Sequence, residues 1–215
     1  MLLYIADVRD FCSEEGIYLL SEERRNKALR YQSCLDRARS IAGGLLLRFH
    51  YGLYSHSLSH GPYGKPYIDS EADCLMPFFS LSHSGDYAML LCADNECGAD
   101  IERIVANRNF KALSRRLASP DEHEWLERKC FDLDCFYRLW AAKESAIKAS
   151  GKGLAAPTKA FSMLPLENGP YEAMGKKYYV SWFSVPGYAA CIAVEGSQPC
   201  GEVRPIMLSK RDLLY

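Results

Sequence analysis

Apolar residues recur every three or four positions in several stretches of the chain, which is the spacing of an amphipathic helix. The clearest case is 36–51, where Ile41, Leu45 and Phe49 fall on one face. Ser21 precedes a shorter basic segment and is suited to cap its first turn. Gly151 follows the last such stretch and fits the left-handed position that ends a helix. Helices are therefore predicted over 23–31, 36–51, 121–130 and 132–150.

Shorter apolar runs between turn residues predict strands. Two of these runs flank Gly85-Asp86 and indicate a hairpin. A stretch rich in Gly, Pro, Ser and His, 55–73, predicts a loop, and 105–111 predicts a connector. Strands are predicted over 2–8, 78–84, 87–93, 97–104, 177–185 and 188–194.

A weak internal repeat relates the two halves of the chain. Three pairs of identical residues share one offset of 101 positions: Arg37 and Arg138, Gly52 and Gly153, Tyr87 and Tyr188. In both halves a long predicted helix ends at Gly, and a hairpin follows. We therefore predict an α+β fold of two similar halves in a pseudo-twofold arrangement, residues 1–104 and 105–215. A ligand site between two such halves is favoured.

The amino-acid composition excludes some classes of function. The chain has 215 residues with 26 Lys and Arg against 27 Asp and Glu, a net charge of −1. A strongly basic nucleic-acid binder is therefore excluded, and no apolar run reaches the ~18 residues of a membrane span. Asp7 interrupts the first apolar run too early for a signal peptide. The nine cysteines have no framework or zinc-site spacing, so we predict reduced thiols and a cytoplasmic protein.

The segment Gly98-Ala99-Asp100-Ile101-Glu102 carries the first candidate chemistry. Residues two apart on a strand share a face, so Asp100 and Glu102 present two carboxylates side by side. Adjacent carboxylates repel unless a cation lies between them, and oxygen ligands without His or Cys suit Mg²⁺. The alternative is a solvated strand edge, which is the safer interpretation of this short pattern alone.

A second pattern lies on the helix predicted over 132–150. Trp140, Glu144 and Lys148 recur every four residues and share one helical face. Glu144 is a candidate third metal ligand or proton acceptor, and Lys148 a candidate phosphate contact or proton donor. The alternative is an ordinary exposed Glu–Lys pair.

The remaining polar patterns suggest an anionic ligand. In Ser82-His83-Ser84, the imidazole and hydroxyls suit hydrogen bonds to an anion, although a structural His and a Ser–His nucleophile pair are alternatives. Lys65 stands in Pro62-Tyr63-Gly64-Lys65-Pro66. The first quarter also carries a basic cluster: Arg24, Arg25, Lys27, Arg30, Arg37, Arg39 and Arg48. Such a local positive field attracts a polyanion, although a solvated helix face is the alternative. The sequence contains no P-loop, G-x-G-x-x-G or G-x-S-x-G pattern.

Taken together and in this order, the motifs resemble those of the two-half, Sfp-type 4′-phosphopantetheinyl transferases. The matching stretches are Gly64-Lys65-Pro66, Phe79 to Ser84, Gly98 to Glu102, Trp140 to Glu144 and Lys148 to Leu154, with basic segments at 23–27 and 36–40. The resemblance covers nearly the whole chain. It implies a monomer that transfers the phosphopantetheine arm of coenzyme A to a serine of an acyl or peptidyl carrier protein, with Mg²⁺, and releases adenosine 3′,5′-bisphosphate.

The resemblance also implies residue roles. Asp100, Glu102 and Glu144 are expected to hold Mg²⁺ on the pyrophosphate, with Glu144 or a metal-bound water as base. Lys148 is expected to contact the pyrophosphate and protonate the leaving group. Trp140 is expected to serve packing. The residues expected around the phosphates are Arg24, Lys27, Arg39, Ser40, Ser82 and His83, and those beside the adenine are Tyr63, Gly64 and Lys65.

Two other functions stay open from the sequence. One is a non-catalytic module that binds coenzyme A or a carrier protein, and the other is a Mg²⁺-dependent nucleotide hydrolase. The three carboxylates distinguish an enzyme from a binding module. The sequence does not specify whether the carrier serves fatty-acid, polyketide or peptide synthesis.

Overall fold

A computed structural model describes residues 1–52, 58–68, 75–106, 109–196, 198 and 203–215. The helices are α1 Glu22–Leu29, α2 Cys34–Tyr51, α3 Phe110–Leu117, α4 Pro120–Arg128, α5 Leu133–Ser150 and α6 Lys210–Leu214. The strands are β1 Leu2–Asp7, β2 Leu58–His60, β3 Pro66–Ile68, β4 Phe78–Ser84, β5 Tyr87–Ala93, β6 Cys97–Arg103, β7 Gly169–Ala173, β8 Lys176–Trp182, β9 Tyr188–Glu195 and β10 Ile206–Leu208. The predicted α+β class is confirmed.

The two long helices, α2 and α5, have the same length and the same kind of ends. Each spans 18 residues and is capped by a side chain, Ser33 for α2 and Asp132 for α5. Each ends at a glycine with positive φ, Gly52 at 67° and Gly151 at 69°. A residue with a Cβ is strained in this conformation. The counterpart of Gly52 is therefore Gly151, two positions before the Gly153 that the repeat suggested.

The described strands form two larger sheets whose membership crosses the predicted boundary at 104/105. One sheet has the order β10-β1-β5-β4, and the other has the order β6-β9-β8-β7. Strand β6, from the first half of the chain, therefore pairs with β9 from the second half. Strand β10, from the second half, pairs parallel to β1. Each sheet therefore contains one strand from the other side of the 104/105 boundary. The two-half pseudo-symmetry stays a prediction.

The core consists of three clusters that stack helix, sheet, sheet and helix. Alternate residues of β5 belong to two different clusters. Leu90 packs with α2 in one cluster, while Met89 and Leu91 face the second sheet in the other. The third cluster lies between α5 and the outer face of the β6–β9 sheet. Strand β5 is thus buried on both faces, as its continuous apolar run predicts.

Three serines join the two sheets where β4 lies beside β6. The hydroxyls of Ser80, Ser82 and Ser84, which we call the serine row, accept backbone N–H bonds from β6. The donors are Ala99 at 3.0 Å, Ile101 at 3.3 Å and Arg103 at 3.0 Å. Side-chain oxygens thus replace the carbonyls that a paired strand would offer, so buried N–H groups are satisfied at this junction.

Some local predictions were wrong. Within the predicted loop 55–73, β2 and β3 pair as an antiparallel hairpin, while 55–57 and 69–73 lie outside the described residues. Helix α3 begins inside the predicted connector 105–111, of which 107–108 lie outside the described residues. Strands β7 and β10 were not predicted. None of the helices in the described ranges has the length and apolar character needed to cross a bilayer.

Candidate functional site

A cavity of about 540 Å³ lies where α1, α2, β4, β6 and α5 meet. Basic residues from the first two helices and acidic residues from β6 and α5 line it together. The predicted site residues in its lining are Arg24, Lys27, Arg39, Ser40, Ser82, His83, Asp100, Glu102, Glu144 and Lys148. The cavity therefore offers cations that suit phosphate groups and carboxylates that suit a metal ion.

Asp100 and Glu102 face this cavity from one side of β6. The residues between them, Ala99 and Ile101, point the other way into the core between the sheets, as strand alternation predicts. Asp100 is almost completely buried, with 4% of its surface exposed. A carboxylate buried at this depth, with a second carboxylate two residues away, requires positive partners.

The serine row orients both carboxylates. Ser82 Oγ donates to Asp100 Oδ1 at 2.9 Å. Ser84 Oγ donates to Glu102 Oε2, also at 2.9 Å. Ser82 and Ser84 therefore serve twice, because their hydroxyls accept from the backbone of β6 and donate to its acidic side chains.

Helix α5 contributes Trp140, Glu144 and Lys148 to the cavity from one face, as the four-residue spacing predicts. Lys148 Nζ donates to Asp100 Oδ1 at 2.7 Å, Ser82 Oγ at 3.0 Å and Ala99 O at 3.1 Å. The ammonium thus fills its three donor positions on β4 and β6. Trp140 also packs on the ring of Phe136 at 5.7 Å, so it both lines the cavity and supports the helix.

A glycine lets α5 approach β6 closely enough for these contacts. A Cβ on Gly98 would lie 1.9 Å from Ser145 O and 2.4 Å from Ala149 N, both backbone atoms of α5. Real Cβ atoms essentially never come this close. Gly98 therefore sets the distance between the acidic strand and the helix that carries Glu144 and Lys148.

Glu144 is a carboxyl group with an altered acidity. Burial raises its pKa, the nearby Asp100 charge raises it further, and Lys148 opposes the shift. The raised pKa makes the Glu144 carboxylate a better proton acceptor than an exposed glutamate. The effect of Asp100 also shows that the two carboxylates are close enough to repel.

Helix α5 is anchored on another face by Lys143, to which the sequence analysis assigned no role. Lys143 and Glu122 form an ion pair of 2.6 Å in which both side chains are 0% exposed. Lys143 Nζ also donates to Phe161 O at 2.7 Å. Glu122 in turn accepts from the backbone of Ser119 and Met163. This network fixes the helix against α4 and the 161–163 segment.

The acidic residues have the donor chemistry that Mg²⁺ prefers. Asp100 Oδ2 is buried and has no hydrogen-bond partner among the described residues, whereas Oδ1 is bound to Lys148 and Ser82. No group of three or more His, Cys, Asp and Glu side chains in the described ranges is already gathered for a metal. Mg²⁺ commonly takes one or two carboxylates, with water and substrate phosphate completing its shell, so the residues present fit this ion.

The basic residues around the cavity differ in how they are engaged. Arg39 donates from Nε and Nη2 to Gly85 O, at 3.0 and 2.7 Å, and pairs with Asp36 through Nη1 at 2.5 Å. Burial lowers the pKa of Arg24, so its charge is incompletely compensated. Lys27 is exposed at the rim. An anion at this wall would offset the burial of Arg24.

His83 lies at the opening of the same cavity. Its pKa is lowered, first by removal from water and then by the positive charges of Lys148 and Arg39. The imidazole is therefore neutral near pH 7 while it faces two cations. A phosphate bound among these groups would reverse the effect and favour its protonated form.

The three residues predicted beside the adenine line a neighbouring cavity of about 440 Å³: Tyr63, Gly64 and Lys65. The two cavities share Glu144 and Lys148 in their linings. Lys65 Nζ is bound to Glu96 Oε2 at 2.5 Å, Cys97 O at 3.1 Å and Ala149 O at 3.2 Å. Its charge therefore ties the β2–β3 hairpin to β6 and α5, and its stem and backbone form the cavity wall.

Sequence reasoning missed several residues that build the site. Lys143 belongs to a quoted motif but received no role, and Ser84 was considered only as a contact to an anion. Tyr31 lines the cavity without having been considered. Serine at every second position from 80 to 84 was an available signal, since alternate positions of a strand share a face. For Lys143, a charge on the apolar side of a helical pattern was the corresponding signal.

Comparisons with known proteins show which family the chain resembles. Residues 96–194 match the family model described as the 4'-phosphopantetheinyl transferase superfamily. This range begins just before β6 and ends within β9, so it contains Asp100, Glu102, Glu144 and Lys148.

Several curated proteins are similar over a larger part of the chain. A 4'-phosphopantetheinyl transferase of Bacillus subtilis is 35% identical over 158 residues, which cover 70% of this chain and 68% of the relative. The 4'-phosphopantetheinyl transferase Sfp of Bacillus subtilis strain 168 is 31% identical over 196 residues, covering 84% and 85%. The 4'-phosphopantetheinyl transferase AcpT of Escherichia coli K12 is 38% identical over 125 residues, covering 54% and 58%.

Proposed function

Because the chain belongs to the 4′-phosphopantetheinyl transferase superfamily, we propose that it transfers the phosphopantetheine arm of coenzyme A to a serine of an acyl or peptidyl carrier protein. Adenosine 3′,5′-bisphosphate is the other product. The serine oxygen forms a bond to the phosphorus that carries the pantetheine, and the bond from that phosphorus to the bisphosphate breaks. The nucleophile belongs to the carrier, so the chain needs no Ser–His–Asp arrangement of its own.

The observation that carries this proposal is the meeting of Asp100, Glu144 and Lys148 in a cavity with a basic wall. A diphosphate with a further phosphate needs cations at separated points and a place where charge on the leaving phosphate is stabilised. The residues that supply donors for the phosphates are Arg24, Lys27, Arg39, Ser40 and His83, and Ser82 lies beside these contacts. Tyr63, Gly64 and Lys65 border the adenine in the adjoining cavity.

Glu144 and Lys148 are the residues assigned to the chemistry. Glu144, whose pKa is raised by burial and by Asp100, accepts the proton of the carrier serine hydroxyl. Lys148 lies beside Asp100 with its ammonium inside the cavity and stabilises the leaving bisphosphate, to which it can return a proton. The two groups lie one helical turn apart, so one helix positions both.

Asp100, Glu102 and Glu144 would hold a Mg²⁺ ion. When bound, this ion would neutralise the diphosphate and favour charge on the leaving oxygen. The unpartnered Asp100 Oδ2 supports this assignment. In the same orientation, Oδ1 stays with Lys148 and Ser82 and keeps the carboxylate from rotating.

The transferase reaction is tested by intact-mass measurement of a purified carrier protein after incubation with the chain, coenzyme A and Mg²⁺. We expect the carrier to gain the mass of one phosphopantetheine arm and lose this gain when its serine is replaced by Ala. Bisphosphate release without a carrier would indicate a hydrolase instead. Tight coenzyme A binding without any release would indicate a binding module. Monomeric state and cytoplasmic location stay predictions.

A further inference from the structure

Ser84 differs from the first member of the serine row in what its hydroxyl does. Both Ser80 and Ser84 accept one backbone N–H bond from β6, at 3.0 Å in each case. Ser84 also donates to Glu102 Oε2. No such bond joins Ser80 to a carboxylate in the described part of the chain. The two serines thus form a natural comparison between a purely structural bond and one that also orients an acidic side chain.

Glu102 is less enclosed by the protein than Asp100 is. Asp100 is 4% exposed and bound by Ser82 and Lys148. Glu102 has a longer side chain, lies nearer the end of β6 and is only half-buried. A glutamate in this position loses rotamer freedom when it binds a ligand, unless a neighbour already holds it. The hydroxyl of Ser84 is such a neighbour.

We infer that Ser84 is a positioning residue that holds the Glu102 carboxylate in the orientation for a divalent cation shared with Asp100. Its hydrogen bond uses one position on Oε2 and turns the other acceptor positions of the carboxylate toward the cavity. Hydrogen-bond partners of metal-ligating carboxylates orient them in this way in general. The inference rests on the proposed function, because the cation is the one assigned to the diphosphate site.

The test is a titration of the whole chain with Mn²⁺, followed by electron paramagnetic resonance of the free ion. Coenzyme A is present and carrier is absent. We expect Ser84→Ala to raise the Mn²⁺ dissociation constant about 10-fold, the lower end of what loss of such a partner does. Ser84→Thr, which keeps the hydroxyl, should bind within about twofold of the unmodified chain, and so should Ser80→Ala.

The inference is overturned if Ser84→Ala binds Mn²⁺ as tightly as the unmodified chain. It is also overturned if Ser84→Thr fails to restore binding, or if Ser80→Ala weakens binding equally, because the bond to β6 would then explain the effect. Circular dichroism establishes that each variant is folded. If Ser84→Ala is not, Ser84→Val against Ser84→Thr makes the same comparison with matched volume.

Failure of the inference can be separated from failure of the proposed function. If the unmodified chain modifies a carrier and Ser84→Ala binds Mn²⁺ normally, only the role of Ser84 is wrong. If the unmodified chain modifies no carrier while Ser84→Ala weakens Mn²⁺ binding, the role of Ser84 stands and the reaction is wrong.

Discussion

Lys148 lines the cavity and already neutralises part of its acidic charge. Its ammonium is bound to Asp100, Ser82 and the carbonyl of Ala99. Its pairing with a nearly buried carboxylate means that its position is fixed before substrate arrives. A fixed cation near a leaving phosphate costs little reorganisation during the reaction.

Removal of this ammonium should therefore affect turnover more than binding. We expect Lys148→Ala to lower kcat by about 10²- to 10³-fold, the usual loss for one preorganised charge partner, and to change KM for coenzyme A far less. Lys159→Ala, at an exposed lysine, is the control and should keep both values. Steady-state kinetics measures the effects on kcat and on KM separately. A loss confined to KM would make Lys148 a binding residue only.

We expect His83 to give coenzyme A binding a pH dependence. Its pKa is lowered in the free chain by burial and by Lys148 and Arg39, and a bound phosphate should raise it. Binding then takes up a proton, so affinity should strengthen as pH falls from 8 towards 6, by at most about tenfold per pH unit for one proton. Calorimetry in buffers of different ionisation enthalpy measures this uptake directly.

The matched variant for this prediction is His83→Gln, which keeps a hydrogen-bond donor and cannot titrate. Protonation of the ligand phosphate remains in the variant, so any difference from the unmodified chain belongs to the imidazole. We expect a smaller proton uptake and a flatter affinity profile. Identical proton uptake by the two proteins would remove His83 from the phosphate site.

For single residues, the sequence predicted correctly which side chains share a face wherever the strand or helix period alone determines it. The faces that carry Asp100 and Glu102, or Glu144 and Lys148, follow directly from strand and helix spacing. Lys65 shows where this reasoning stops. The ends of β6 and α5 that bind its ammonium come from distant parts of the chain, so no local pattern could show that its charge is already used.

Helix α5 and strand β6 form the element pair on which the site depends, and Gly98 permits their close packing. We expect Gly98→Ala to reduce turnover strongly and to lower the free energy of unfolding, because the new methyl group would meet backbone atoms at 1.9 and 2.4 Å. Gly169→Ala is the control, since its Cβ would meet nothing within 4 Å. A fully active Gly98→Ala would show that α5 can move without loss of function.

The second support of α5 is the buried pair of Lys143 and Glu122. Removing one member leaves an uncompensated buried charge, so Lys143→Ala should lower the free energy of unfolding by about 3–5 kcal/mol. Lys177→Ala breaks an exposed pair with Glu172 and should cost about 0–1 kcal/mol. Urea denaturation measures both. Equal losses of unfolding free energy in the two variants would show that the buried pair stabilises the fold no more than the exposed pair.

Long elements with a clear periodicity were predicted well, whereas a capping residue alone did not reveal the short helices α3 and α6. Helix α2 was expected over 36–51 and begins two residues earlier. Helix α3 has only eight residues, and its cap Asn109 is a residue type that is equally common in loops. The short strands β2, β3 and β10 have three residues each. Such strands exist because of their partners, which a linear pattern does not reveal.

At the scale of the whole molecule, the site lies where the edge strands of the two sheets, β4 and β6, run side by side. The serine row lies on β4 of one sheet, and the acidic residues lie on β6 of the other. Helices α1 and α2 bring the basic wall from the first half, and α5 brings Glu144 and Lys148 from the second. The repeat suggested two halves and a cleft. The pairing of β6 with β9 and of β10 with β1 joins distant parts of the chain, so no local pattern could predict it.

The central claim is that acidic side chains from β6 and α5 share one divalent cation on the diphosphate of coenzyme A. It is tested most directly by crystals grown with coenzyme A and Mn²⁺, in which anomalous scattering locates the ion. We predict an anomalous peak in direct contact with Asp100 Oδ2, Glu102, Glu144 and the diphosphate. An occupied diphosphate with no peak beside Asp100, or with a peak elsewhere in the molecule, would contradict the account.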